Sequence, residues 1–237
     1  MPRPPDPRLF FMRVMCWKRF LLMIGWLAVA GSLPARAQDV VFQDSFQGQL
    51  GDGWSWVRED PPAWRVTRQG LEIRLQPGNM WGGANNAKNV LVRSVPAPTN
   101  GPVEVSVTIT NQPSEQYEQV DLVWYYDDSH MVKIGQEQVD GKLCLVMGRE
   151  EKDRTRTIAI IPIDFHLLDL RFQASGNEIR GQVRRHGADS WRDAGACSLP
   201  IHGDPKVSLQ VYQGPRSVER WARFNDFRVV RTNRGGP

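Results

Sequence analysis

Short apolar segments with a repeat of two recur along the chain, each bounded by glycine, proline, asparagine or aspartate. They predict strands at 64–66, 71–75, 90–95, 103–110, 120–126, 131–139, 142–147, 157–163, 167–173, 178–185, 207–212 and 220–231. The alternation is plainest in Val103-Glu-Val-Ser-Val-Thr-Ile, where Val and Ile take one face and Glu104, Ser106 and Thr108 the other. No segment of this region carries a convincing helical period.

The connections have turn chemistry of their own. Gln69-Gly70, Asp140-Gly141 and Ser175-Gly176 each place glycine where a positive φ is needed, and Asp127-Asp128-Ser129-His130 is a polar link between two strand patterns. Consecutive strands are therefore expected to be antiparallel neighbours. So many strands pack naturally as two sheets face to face, which implies an all-β fold, an antiparallel β-sandwich. Residues 38–237 fit one such domain, since sandwiches of roughly 200 residues need not split.

The N-terminal segment reads differently. Arg13, Lys18 and Arg19 precede an apolar run from Phe20 to Leu33, and Ala35-Arg36-Ala37 fits a small-x-small cleavage site. This is the arrangement of a signal peptide over 1–37, with Gln38 as the new N-terminus and an uncleaved anchor as the alternative. The run is shorter than the ~18 to 20 residues of a spanning helix. Six of the 30 basic residues but only one of the 26 acidic residues precede Gln38, which leaves 24 bases, 25 acids and a net charge of −1 instead of +4. The basic balance therefore belongs to the export segment. It gives no ground for a nucleic-acid partner or, after cleavage, a membrane partner. The expected location is secreted or periplasmic.

Cys16 leaves with that segment, and Cys144 and Cys197 remain as a pair able to form a disulfide in an oxidising compartment. Two buried free thiols in neighbouring strands are the alternative. There is no CxxC or Cys/His cluster for zinc, no Gly-x-Ser-x-Gly elbow, no phosphate-cradling loop and no His-Glu-x-x-His. His130, His166, His186 and His202 are scattered, and Asp127, Asp128 and Asp140 read as turn formers, not as the dense acidic loop of a calcium site. No cofactor, metal or catalytic residue is expected.

Several segments resemble a known superfamily. Phe42-Gln-Asp-Ser-Phe46, Gly53-Trp54-Ser-Trp56, Pro61-Pro-Ala-Trp64, Gly70-Leu-Glu-Ile-Arg-Leu and Phe224-Asn-Asp-Phe227-Arg-Val look like a concanavalin A-like lectin/glucanase jelly roll. More narrowly, Glu118-Gln-Val-Asp-Leu-Val-Trp-Tyr-Tyr-Asp-Asp, Met131-Val-Lys133-Ile-Gly-Gln-Glu137 and Asp140-Gly resemble the domain of unknown function of regulation-of-enolase-like proteins. That domain is similar to the C-terminal sandwich of family 43 β-xylosidases. Members often show Gln-x-Gly-Leu on the central strand, where this chain has Gln119-Val-Asp121-Leu122. The resemblance implies two curved sheets, the concave one a surface for carbohydrate.

Hydrolysis on this fold needs two carboxylates across the scissile bond. The related retaining enzymes carry a Glu-x-Asp-x-x-Glu-type strand, and the nearest match here is Glu115, Glu118 and Asp121, whose spacing of three puts neighbouring acids on opposite faces of a regular strand. Binding is better supplied. Asp121 and Tyr125 share one face of their strand, Lys133 and Glu137 share a face of the next, and antiparallel pairing brings the two sets together. The glycine- and amide-rich stretch from Asn79 to Lys88 adds Trp81 as a stacking ring, with Asn85 or Asn86 to read hydroxyls.

The ligand-binding set is thus Trp81, Asn86, Asp121, Tyr125, Lys133 and Glu137, for an oligo- or polysaccharide. The competing reading is an exposed cross-strand salt bridge worth at most ~1 kcal/mol. Trp64 is assigned to the core, as are Trp124 and Trp221 inside strand patterns, while Trp54 and Trp56 are core or rim residues. Three function classes follow: an exported non-catalytic, lectin-like module, a divergent glycoside hydrolase using acids such as Glu118, Asp121 and Glu137, and a structural or partner-docking sandwich of the cell envelope.

Overall fold

The structure, a computed structural model, describes residues 38–232; the expected export segment lies outside them. Two antiparallel sheets face each other. The eight-stranded sheet contains β1 (Gln38–Asp44), β3 (Trp64–Thr67), β4 (Gly70–Arg74), β6 (Val103–Thr110), β11 (Leu167–Ser175), β12 (Glu178–Arg185), β13 (Arg192–Ser198) and β15 (Trp221–Thr232). The seven-stranded sheet contains β2 (Trp54–Val57), β5 (Val90–Ser94), β7 (Gln119–Asp127), β8 (His130–Val139), β9 (Lys142–Glu151), β10 (Arg154–Pro162) and β14 (Lys206–Tyr212). Among the described residues no helix is long and apolar enough to cross a membrane.

Hairpins build most of each sheet, and strands returning from the other sheet complete it. In the seven-stranded sheet β7 to β10 form a meander, and β14 and β5 then join on the far side of β7 in the order β10-β9-β8-β7-β14-β5-β2. The β8–β9 turn shows why: Asp140 and Gly141 both have positive φ, 49° and 73°, and Val139 pairs with Lys142 across them. That is the primed two-residue turn whose twist matches the strands. In the other sheet the long β15 pairs with β6 on one side, and on the other with β4 and then β1.

The core follows the period of two. Val103, Val105, Val107 and Ile109 of β6 face Val120, Leu122 and Trp124 of β7 and Val207, Leu209 and Val211 of β14 in one cluster between the sheets. The pattern left β1, β2 and β13 undetected. β13 reads Arg-Asp-Ala-Gly-Ala-Cys-Ser and offers no bulky apolar side chain to mark its inner face.

The tryptophans sort by which side of a strand they occupy. Trp124 is fully buried. Trp54, Trp56 and Trp64 are partly buried and pack against the core; Trp56 on β2 meets Trp64 on β3 with ring centroids 4.8 Å apart, joining the edge strands of the two sheets. Trp54 packs on Phe227 at 4.8 Å. Trp221 departs from the sequence expectation. It lies outside the core, because Ala222 and Phe224 take the inward positions of β15, and its indole is covered by Arg65 at 4.1 Å.

Of the two readings for the cysteines the structure has the free thiols, but not in neighbouring strands. They lie in different sheets, Cys144 in β9 and Cys197 in β13. Cys197 packs against the core, whereas on β9 the core positions belong to Leu145 and Met147, so Cys144 points out of the opposite face. Burial pushes both thiols up, Cys197 to about 11, which keeps them protonated and unreactive at neutral pH.

Phe172 of β11 is fully buried in this core. Phe172→Ala is expected to cost about 3–5 kcal/mol in chemical denaturation, through lost burial and the cavity left behind.

Candidate functional site

Antiparallel register turns the alternation of four strands into cross-strand rows on the side of the seven-stranded sheet that faces away from the core. Tyr212, Gln119, Glu137 and Cys144 form one row, and Gln210, Asp121, Gly135 and Val146 the next. Ser208, Val123, Lys133 and Gly148 form a third. Two glycines leave room on this face. A Cβ at Gly135 would strike the Asp121 carboxylate and the Val120 carbonyl, and one at Gly148 would strike the Trp81 indole.

The segment after β4 folds over these rows. Asn79 braces Trp81 in both directions: its Oδ1 accepts the Trp81 N–H at 3.0 Å, and its Nδ2 donates to the Trp81 carbonyl at 3.0 Å. Asn86 closes the loop by accepting the Asn79 N–H at 2.9 Å. The Gly82 N–H donates to Glu150 Oε2 at 3.0 Å and ties the loop to β9. Beneath it Met80 and Ala87 pack with Val90, Val92, Val123, Tyr125, Met131 and Tyr212 in a second apolar cluster.

Beside this covered region a groove of about 550 Å³ stays open, within the usual size of a small-molecule site. Trp81, Tyr117, Gln119, Lys133 and Glu137 supply its aromatic and polar wall, and Val139, Val146 and Ile160 an apolar one. The Lys133 ammonium donates to Gln119 Oε1 and, at 3.2 Å, to Glu137 Oε2, and it lies 4.8 Å from the Trp81 ring. A further depression of about 610 Å³ runs along Gln43 to Gly51 and Asp226 to Arg228. Its carboxylate at Asp44 already accepts from the N–H groups of Phe46 and Gly51 and the Trp54 indole.

Residues 43–204 match the family described as the β-xylosidase C-terminal concanavalin A-like domain. The chain belongs to that family. Solved structures share its fold at low identity. A GH43 protein from Bacillus licheniformis, BlXynB, superposes with a TM-score of 0.70 at 18% identity, over 80% of this chain and 39% of its own. A xylan β-1,4-xylosidase from Bacillus halodurans gives 0.67 at 17%, over 79% of this chain and 38% of its own. A functionally unknown protein from Saccharomyces cerevisiae gives 0.60 at 15%, over 76% of this chain and 96% of its own. This chain thus spans about two fifths of the GH43 proteins it resembles. The comparison with curated proteins returns no match.

On this concanavalin A-like sandwich the six residues read from the sequence separate into two groups. Trp81, Lys133 and Glu137 come together along the groove. Asp121 lies on the same face but is wholly buried. Tyr125 is sealed in the second apolar cluster, its hydroxyl donating to Asp128 at 2.8 Å. Asn86 is spent on closing its own loop. The Lys133–Glu137 pair is not the exposed salt bridge of the competing reading, because the two side chains are only 4% and 9% exposed. Sequence reasoning missed Tyr117 and Gln119. Tyr117 stands half exposed ahead of β7 with a φ of 66°, outside any periodic pattern; Gln119 is the first residue of the face that Asp121 continues.

Asp121 finds space because Gly135 lies directly opposite on β8. Neither carboxylate oxygen has a well-formed hydrogen bond. Burial raises its pKa to about 7, with Glu137 adding to the rise and Lys133 and the nearby Tyr212 hydroxyl opposing it. Between about pH 4 and 7 the folded chain therefore keeps a proton that the unfolded chain has released. The contribution of Asp121 to stability falls as pH rises through that window and levels off above it. Asp121→Asn is expected to remove this slope: its stability relative to the parent chain, followed by denaturation from pH 4 to 8, should rise by a few kcal/mol. A constant difference across that range would show that Asp121 ionises normally.

Proposed function

We propose that this domain is an exported, non-catalytic carbohydrate-binding module whose ligand lies in the Trp81–Lys133–Glu137 groove. The observation that carries the reading is the buried Lys133–Glu137 pair beside an indole in an open groove. Such a pair is a poor way to stabilise a sheet, because desolvating two charges offsets most of their attraction and apolar side chains of similar size often do better. As a binding device it is well suited. Lys133 and Glu137 offer a donor and an acceptor to sugar hydroxyls, while Trp81 and the exposed ring of Tyr117 supply apolar surface for the C–H faces of a pyranose.

The family description and the xylosidase neighbours support xylan-type and related neutral glycans as the ligand class. Charge supports neutral sugars as well. Glu137 and Asp140 line the groove against the single ammonium of Lys133, so a uronate would meet excess negative charge. The hydrolase reading is weakly supported. Of the three acids considered for hydrolysis, Asp121 is closed off from solvent and Glu118 is buried with its Oε2 accepting the N–H groups of Ser114 and Glu115, so Glu137 alone of them lines the groove.

In calorimetry with xylo-oligosaccharides, Trp81→Ala and Glu137→Gln are each expected to weaken binding about tenfold or more, as loss of a stacking or charged hydrogen-bonding partner does. Oligogalacturonides should bind less well, and no reducing ends should be released. Gly148→Ala should weaken binding too, by displacing the Trp81 indole. Sugar release abolished by a single carboxylate substitution would replace this reading with hydrolysis. Export belongs to the same proposal: mass spectrometry of the protein from its native compartment should find Gln38 at the N-terminus.

A further inference from the structure

The turn between β7 and β8 and the loop leading into β14 meet at the His130 end of β8, whereas the groove lies towards its Val139 end. Three side chains converge there. Asp127 Oδ1 is 2.9 Å from His130 Nδ1, and Asp127 Oδ2 is 3.2 Å from His202 Nε2. The three donor atoms lie within 4.8 Å of one another. We propose that Asp127, His130 and His202 form a binding site for a divalent transition-metal ion of the zinc, copper and nickel class.

The donor set selects that class. Two imidazoles and one carboxylate suit borderline ions, whereas calcium and magnesium need a shell of oxygens that this corner does not offer. Spacing agrees. Metal–ligand bonds of about 2.0–2.1 Å in a tetrahedral shell put neighbouring donors about 3.3 Å apart, so the Asp127 Oδ1–His130 Nδ1 half, at 2.9 Å, needs only a slight opening. Asp127 is already oriented, since its Oδ1 accepts the Ser129 N–H at 2.9 Å and the Ser129 hydroxyl at 3.3 Å. The neighbouring Asp128 takes no part, because Arg58 holds it at 2.5 and 3.3 Å.

One rearrangement is required, and the exposure of the rings says which side makes it. The two imidazoles stack at 4.0 Å with an interplanar angle of 9°, and an imidazole lone pair lies in the plane of its ring, so both cannot meet one ion as they stand. The His130 side chain is 12% exposed and that of His202 is 56% exposed. Asp127 and His130 therefore form the fixed half, and His202 swings to complete it, leaving the remaining positions to water. The bound ion would pin the loop around His202 to the β7–β8 turn.

The test is a zinc chloride titration of the tag-free full chain by calorimetry, together with thermal melting and cobalt absorption spectra. One equivalent should bind and raise Tm, because an ion held only by the folded chain stabilises it. Cobalt should show nitrogen/oxygen coordination bands, and calcium and magnesium should leave Tm unchanged. His202→Ala and Asp127→Asn should each weaken zinc binding about tenfold or more, the usual scale for losing a ligand or its support. The His202→Ala variant removes an exposed loop side chain and should keep the parent circular dichroism, so it decides the matter if Asp127→Asn fails to fold. No binding up to about 1 mM zinc, a Kd scale at which association is negligible, would overturn the proposal. So would binding that His202→Ala leaves unchanged. Sugar binding in the groove is read independently of either result.

Discussion

Strands β7 and β8 are buried on both faces, and most of what is distinctive about this domain follows from that constraint. One face meets the eight-stranded sheet; the other is covered in part by the loop carrying Met80 and Trp81. Polar side chains on the second face cannot simply be solvated. They must pair, as Lys133 does with Gln119 and Glu137, or favour their neutral form, as Asp121 does. The loop also leaves part of the face open, and the groove is the strip it does not cover.

Concanavalin A-like sandwiches share a scaffold, and function has to be argued from what each one places on it. Here two glycines do much of the placing. Gly135 lets a carboxylate stand at position 121, and Gly148 lets the Trp81 indole lie against β9. Neither glycine sits at a turn, and both matter for the atoms that would collide with a side chain. The opening tryptophans serve the scaffold instead: Trp56 and Trp64 close the gap between edge strands, and Trp54 packs on Phe227. A tryptophan-rich segment near turns is thus chiefly a clamp between sheets in this chain.

Much of the fold was legible because burial on a sheet has a period of two, and the twelve strands found by that rule are all present. The rule failed where the signal is weak, as on β13, whose small and charged residues include no bulky apolar side chain. It also misassigned Trp221, because an aromatic inside a strand pattern can point either way and only the neighbouring Ala222 and Phe224 reveal the inward phase. The site was legible to the same depth. Lys133 and Glu137 share a face by spacing alone, but spacing could not tell that Tyr125, on the face of Asp121, would be sealed under Met80 and Ala87.

By itself the sequence determined the strands, their alternation and the all-β class, since these depend on local periodicity and turn chemistry that each segment carries on its own. Tertiary structure decided everything that depends on contact between distant segments. It set which part of the face the loop around Trp81 covers and which part stays open. It placed the two cysteines in different sheets and turned one of them out of the core. It also brought His202 onto Asp127 and His130. Those outcomes come from register and loop packing, which no single segment encodes, because each requires two stretches of chain to meet in space.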